Sequence, residues 1–76
     1  MNTIVLPELG EGIEKATIAC WHYRIGEHIN QDEDLLEVVT DKATFNICAS
    51  KSGQLKEIRF KEGQEAKIGD ILAVIE

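Results

Sequence analysis

Short apolar stretches punctuated by turn residues run the length of this chain, and none sustains a helical period. They predict strands near residues 3–6, 16–23, 28–30, 35–40, 43–48, 53–60, 66–68 and 71–75. Short strands at such regular spacing point to an all-β sandwich or flattened barrel. Asp32 to Val39 could fill a turn of helix, but it ends in the β-branched run Val38-Val39-Thr40, which favours a strand. Alternation breaks inside residues 16–23, where Ile18 and Trp21 have opposite parity, and again between Leu55 and Ile58. One bulge in each strand would return the later side chains to the core face.

That shared break belongs to an internal repeat. At an offset of 37, Ala16 falls on Gly53, Ile18 on Leu55, Trp21 on Ile58, Tyr23 on Phe60, Arg24 on Lys61 and Gly26 on Gly63. A one-residue deletion then places Asp34-Leu35-Leu36 on Asp70-Ile71-Leu72 and Val38 on Val74. Two copies are too few for a solenoid, so the repeat predicts a single domain over residues 1–76 with an approximate twofold axis, each half supplying one sheet. Trp21 reads as a core anchor.

With 43% hydrophobic residues, a chain of 76 residues can bury roughly 60% of its unfolded surface and fold by a modest margin. No apolar run is long enough for a membrane helix, and Met1 leads into Thr3-Ile4-Val5-Leu6 without the pattern of a targeting segment. Cys20 and Cys48 are expected as small buried thiols in a reducing compartment, unpaired with each other. A net charge of -6 disfavours nucleic acid as a partner. The acidic residues cluster in Glu8-Glu11-Glu14, in Asp32-Glu33-Asp34 with Glu37, and around Glu62 and Glu65, stretches that read as solvated loops and edges.

Thr40-Asp41-Lys42-Ala43 lies where the two halves meet. A hairpin serving only to reverse the chain favours Asn-Gly or Asp-Gly, because the matching turns need positive φ, yet Asp41-Lys42 has no glycine. Lys42 is also the only Lys or Arg between Arg24 and Lys51. Position alone fits an ordinary solvated lysine as well as an amine presented to a partner. Other constellations carry less. Cys20, His22, His28 and Cys48 lack the paired Cys-x-x-Cys spacing of a structural zinc site. Gly10 and Gly12 fall short of a phosphate loop, Asp32-x-Asp34 lacks the glycine and distal Glu of a calcium loop, and no nucleophile and base are paired in pattern. The residues predict no catalytic site on this domain.

Leu9-Gly10-Glu11-Gly12-Ile13, Trp21 and Gly26, Glu37 to Thr44 around the Asp41-Lys42-Ala43 triplet, Ser52-Gly53, Glu62-Gly63, and Gly69 to Glu76 together resemble the lipoyl domain of the acyltransferase component of 2-oxo acid dehydrogenase complexes. The resemblance covers the whole chain. It implies a barrel-sandwich hybrid of two four-stranded antiparallel sheets and a covalent lipoate on Lys42, flanked on its turn by Asp41 and Ala43. The implied function is a swinging-arm carrier. A lipoate ligase or lipoyl transferase loads it, and a thiamine-diphosphate-dependent decarboxylase reductively acylates it. An acyltransferase core passes the acyl group to coenzyme A, and a flavin-dependent dihydrolipoamide dehydrogenase reoxidises the arm. By the same resemblance the parent is a dihydrolipoamide acyltransferase working in a bacterial cytoplasm or mitochondrial matrix, with no membrane partner and a monomeric domain. Departures at Val39, Asn46, Cys48 and Lys51 bear on which complex is meant, and Ala43 favours pyruvate dehydrogenase. Two alternatives share the fold: a biotinyl carrier of a carboxylase, which usually flanks its lysine with methionines, and an unmodified docking domain.

Overall fold

Eight strands form where the apolar stretches predict them, most within a residue or two of the expected bounds. They are β1 (Asn2–Val5), β2 (Lys15–Trp21), β3 (His28–Ile29), β4 (Asp34–Val39), β5 (Thr44–Cys48), β6 (Gly53–Ile58), β7 (Glu65–Lys67) and β8 (Ile71–Ile75). The structure is a computed structural model describing residues 2–76, so Met1, the first residue of the expected span, lies outside the described residues. No helix occurs among the described residues. The strands build two antiparallel four-stranded sheets, ordered β1-β8-β6-β3 and β5-β4-β2-β7, as an all-β barrel-sandwich hybrid requires.

The sheet orders correct one expectation. Each half was expected to supply one sheet, but each sheet draws two strands from either half: β8 lies between β1 and β6, and β4 between β5 and β2. The strands most apolar in sequence, β4 and β8, take the central places because only there are both edges of their backbone bonded within the sheet. Leu35, Leu36 and Val38 of β4 and Leu72, Ala73, Val74 and Ile75 of β8 are buried. Ile18, Ile29 and Leu55 complete the middle of the core.

A second correction concerns the repeat register. No residue is deleted at position 34, because the offset of 37 persists through the ladders. Trp21 pairs with Leu36 and Cys20 with Glu37, as Ile58 pairs with Ala73 and Glu57 with Val74. Glu33 Oε1 accepts from the Asn30 N–H at 2.9 Å, and Asp70 Oδ2 accepts from the Lys67 N–H at 2.9 Å. Glu33 is therefore the counterpart of Asp70. Its carboxyl is held below the ordinary range, first by that Asn30 bond and then by Tyr23. The Asp-Leu-Leu and Asp-Ile-Leu likeness misled because short identities are weaker constraints than which strand edge a residue must pair.

Both expected bulges are present at repeat-related places, between Ile18 and Cys20 on β2 and between Leu55 and Glu57 on β6. The turns that follow also correspond: the Gly26 N–H donates to Leu55 O at 2.7 Å, and the Gly63 N–H to Ile18 O at 2.8 Å. Each half's turn thus bonds to the other half's bulged strand, which locks the halves together.

Trp21 is half-buried and packs on the rim of the core instead of anchoring its centre. Its indole Nε1–H donates to Phe60 O at 2.9 Å, fastening β2 to the end of β6. Neither cysteine is buried as expected, since Cys20 is half-buried and Cys48 exposed, and both are free. Trp21→Ala should consequently cost about 2 kcal/mol, below the 3–5 of a fully buried ring, read as the shift of a urea or thermal midpoint. Gly53→Ala should cost about 1–3 kcal/mol by overpacking, because a Cβ at Gly53 would sit 2.5 Å from Ile75 Cγ2. Wild-type midpoints for both would contradict this packing.

Candidate functional site

β4 and β5 are bonded to each other as far as the pair Val39 and Thr44, so the link 40–43 projects from the end of a continuous ladder. Asp41, Lys42 and Ala43 are all exposed on it. Among the described residues Asp32 alone has positive φ without being glycine, so Asp41 and Lys42 do not form the mirror-image turn that Asn-Gly serves. Thr40 supplies the closure. Its N–H and Oγ1 both donate to Ala43 O, at 2.8 and 2.9 Å. The same Oγ1 accepts from the N–H groups of Lys42 and Ala43, at 3.2 and 3.1 Å. One hydroxyl thereby uses its donor and both acceptor positions, and the backbone beneath Lys42 is fixed without glycine.

The Lys42 side chain leans toward the loop between β1 and β2, where Nζ donates to the Glu11 carbonyl at 3.2 Å. No carboxylate pairs with it among the described residues; the ion pairs found there are Lys15 with Glu65 and Arg59 with Glu57. Gly12 has φ +82°, and a Cβ on it would lie 3.1 Å from Nζ, so glycine leaves the amine room as well as permitting the backbone.

That loop is where the repeat is broken. Leu6 corresponds to Ala49, since the Leu6 N–H donates to Asp70 O and the Ala49 N–H to Glu33 O, each at 2.9 Å. Ten steps of chain lead from Leu6 to Ala16 but four from Ala49 to Gly53, so the first half carries six additional residues in the stretch whose Glu11 and Gly12 approach Lys42. Thr40, Glu11 and Gly12 were not singled out as site residues by their sequence. The readable signal was the unequal spacing between the copies, which places an insertion in the loop but does not say what it touches.

Between this loop and the lysine turn lies a cavity of about 270 Å³, bordered by Gly12, Ile13, Thr17, Val39, Thr40 and Lys42 among others. Among the described residues no group of three His, Cys, Asp or Glu side chains is placed to hold a metal. On the outer face of sheet β5-β4-β2-β7 the Cys48 thiol donates to Asp34 Oδ1 at 3.3 Å. That bond, then desolvation and the carboxylate charge, push the thiol up from its ordinary pKa.

The family model described as biotin-requiring enzyme, of the biotin and lipoyl attachment type, matches residues 2–75. The chain is 39% identical over 75 residues, 99% of its length, to the dihydrolipoyllysine-residue succinyltransferase component of the 2-oxoglutarate dehydrogenase complex of Bacillus subtilis, covering 18% of that protein. It is 37% identical over 71 residues, 93% of its length, to the acetyltransferase component of the pyruvate dehydrogenase complex of Staphylococcus aureus, covering 16% of it. The chain thus spans less than a fifth of the curated relatives it matches. The solved lipoyl domain of the 2-oxoglutarate dehydrogenase complex of Azotobacter vinelandii superposes with a TM-score of 0.74 at 29% identity, over 96% of this chain and 95% of that one. Urea carboxylase of Kluyveromyces lactis superposes at 0.83 over 99% of this chain and 6% of its own, and at 20% identity shows the shared fold alone.

Thr40→Val, which keeps the shape but deletes the hydroxyl, should lower stability by about 1 kcal/mol and speed amide exchange at Lys42 and Ala43. Unchanged exchange would show that the hydroxyl does not hold the turn. Asp34→Asn should lower the Cys48 pKa, so iodoacetamide alkylation of Cys48 at pH 8 should quicken because more thiolate is present. A slower or equal rate would contradict the stated cause.

Proposed function

Because the chain belongs to the biotin and lipoyl attachment family, we propose that it is a lipoyl carrier domain of a 2-oxo acid dehydrogenase acyltransferase, with lipoate in amide linkage on Lys42. Lipoyl domains of such complexes carry lipoate covalently on a lysine. The observation that carries the reading to Lys42 is its exposed amine on a turn closed by Thr40, with a main-chain carbonyl and, among the described residues, no carboxylate as partner. These residues fit the group. An exposed primary amine can be acylated by a carboxyl group that a loading enzyme has activated, and after amide formation the remaining N–H can still donate to the Glu11 carbonyl.

When attached, lipoate supplies a disulfide that takes up two electrons and a sulfur that accepts an acyl group. The chain's own part is positional. The β4–β5 ladder and the Thr40 hydroxyl hold the anchoring atom in place, and loss of the lysine charge on acylation removes a strongly hydrated cation from the tip. A tether from that point raises the arm's effective concentration at successive sites to roughly millimolar, so tight docking is not required. Within this proposal a lipoate ligase or lipoyl transferase loads Lys42. The thiamine-diphosphate-dependent decarboxylase, the acyltransferase core and dihydrolipoamide dehydrogenase then use it, in a bacterial cytoplasm or a mitochondrial matrix. Among the complexes Ala43 alone speaks for pyruvate; the relatives belong to 2-oxoglutarate, branched-chain and pyruvate complexes and do not choose among them. Biotin is the second reading, and Asp41 and Ala43 in place of flanking methionines speak against it.

Incubation with lipoate ligase, lipoate and ATP should add one lipoyl group by intact mass to the native chain and none to Lys42→Arg. The variant should keep its stability within about 0.5 kcal/mol, as exposed substitutions usually do. An adduct on the variant, or biotin added by biotin ligase in place of lipoate, would overturn the assignment.

A further inference from the structure

The cavity beside Lys42 differs from an ordinary surface dip in three respects. Its mouth holds the very amine that the proposed function modifies, already bonded to the Glu11 carbonyl on the loop that forms one wall. Gly12, Ile13 and Glu14 of that wall belong to the loop that makes the first half six residues longer than the second, so the repeat-related end, with only four steps from Ala49 to Gly53, has no equivalent loop. Its lining is mixed: Ile13 and Val39 offer apolar surface, Lys15 and Glu65 pair with each other at 3.5 Å, and Glu14 and Asp41 add two carboxylates.

We propose that this groove, between residues 12–17 and 39–42, is a resting site for the arm attached to Lys42, an unbranched acyl chain ending in a five-membered disulfide ring. The inference rests on the carrier reading and extends it to where the arm lies between transfers. The groove's 270 Å³ falls just under the roughly 300–1,000 Å³ of drug-sized ligand sites, which suits one short chain. An amide N–H at Nζ would keep the Glu11 bond, and the missing Cβ at Gly12 leaves that side of Nζ open. Val39 is 42% exposed, an apolar side chain next to the turn that the unmodified chain leaves in water. Covering it with methylene groups is favourable, and a link through Nζ makes the encounter intramolecular.

The test is NMR of the whole chain with labelled methyl groups, before and after loading by lipoate ligase, with intact mass taken on the same sample. The expected result is a full adduct by mass, shifts of the Ile13 and Val39 methyl signals, and cross-peaks from the arm's methylene protons to those methyls. Val39→Glu, a change at an exposed position, should accept the adduct equally and lose the cross-peaks to the Ile13 methyl. A full adduct with methyl changes confined to Ala43 overturns the resting site and leaves the carrier reading standing. No adduct overturns both.

Discussion

The pairing of β4 and β8 along both edges is the constraint on which the molecule depends. Each central strand carries apolar residues that must leave water and backbone groups that must be bonded once they do. Each finds both conditions only between one strand of its own half and one of the other. Neither half can form its sheet alone. Cooperativity follows from this interlacing, reinforced by the turns at Gly26 and Gly63 that bond across to the bulged strands of the opposite half.

The same constraint braces the end that carries the proposed attachment lysine. β4 has β2 on one side and β5 on the other, so the link from Val39 to Thr44 emerges from a braced strand. Under the repeat's symmetry that link corresponds to the break between β8 and β1, where Ile75 pairs with Asn2. One end of the pseudo-symmetric body is thus a closed turn bearing an amine, and the related position is where β1 and β8 pair without a turn between them. The loops beside the two ends differ as well. The loop from Pro7 to Glu14 makes them unequal.

A carrier needs little from its own surface beyond a fixed anchor and freedom from tight partners. The acidic balance and the half-exposed polar outer faces suit brief encounters, in which charge affects the rate of approach more than the final affinity. Stability resides elsewhere, in a core of aliphatic side chains with no buried polar or charged residue among those described. The proposed attachment turn and the core are therefore separable, because the exposed turn contributes almost no buried apolar area.

Reading the residues alone located all eight strands, both bulges, the twofold relation and the exposed lysine, because these follow from local rules: side-chain alternation, turn chemistry and recurrence at a fixed spacing. Ile18 and Leu55 face the core by parity, and the break after each announced an inserted residue. Which half each strand pairs with was not local. The repeat was equally compatible with two self-contained sheets, and the interlaced order won because β4 and β8 each need two neighbours. Short identities likewise suggested a deletion near Asp34 that the ladder register excludes. The half-buried place of Trp21, the exposure of Cys48 and the approach of Glu11 to Lys42 depend on packing between segments far apart in the chain. Lys42's presence at the junction was written in the order of residues; the Thr40 hydroxyl that steadies it and the groove beside it exist only once distant backbone has been brought together.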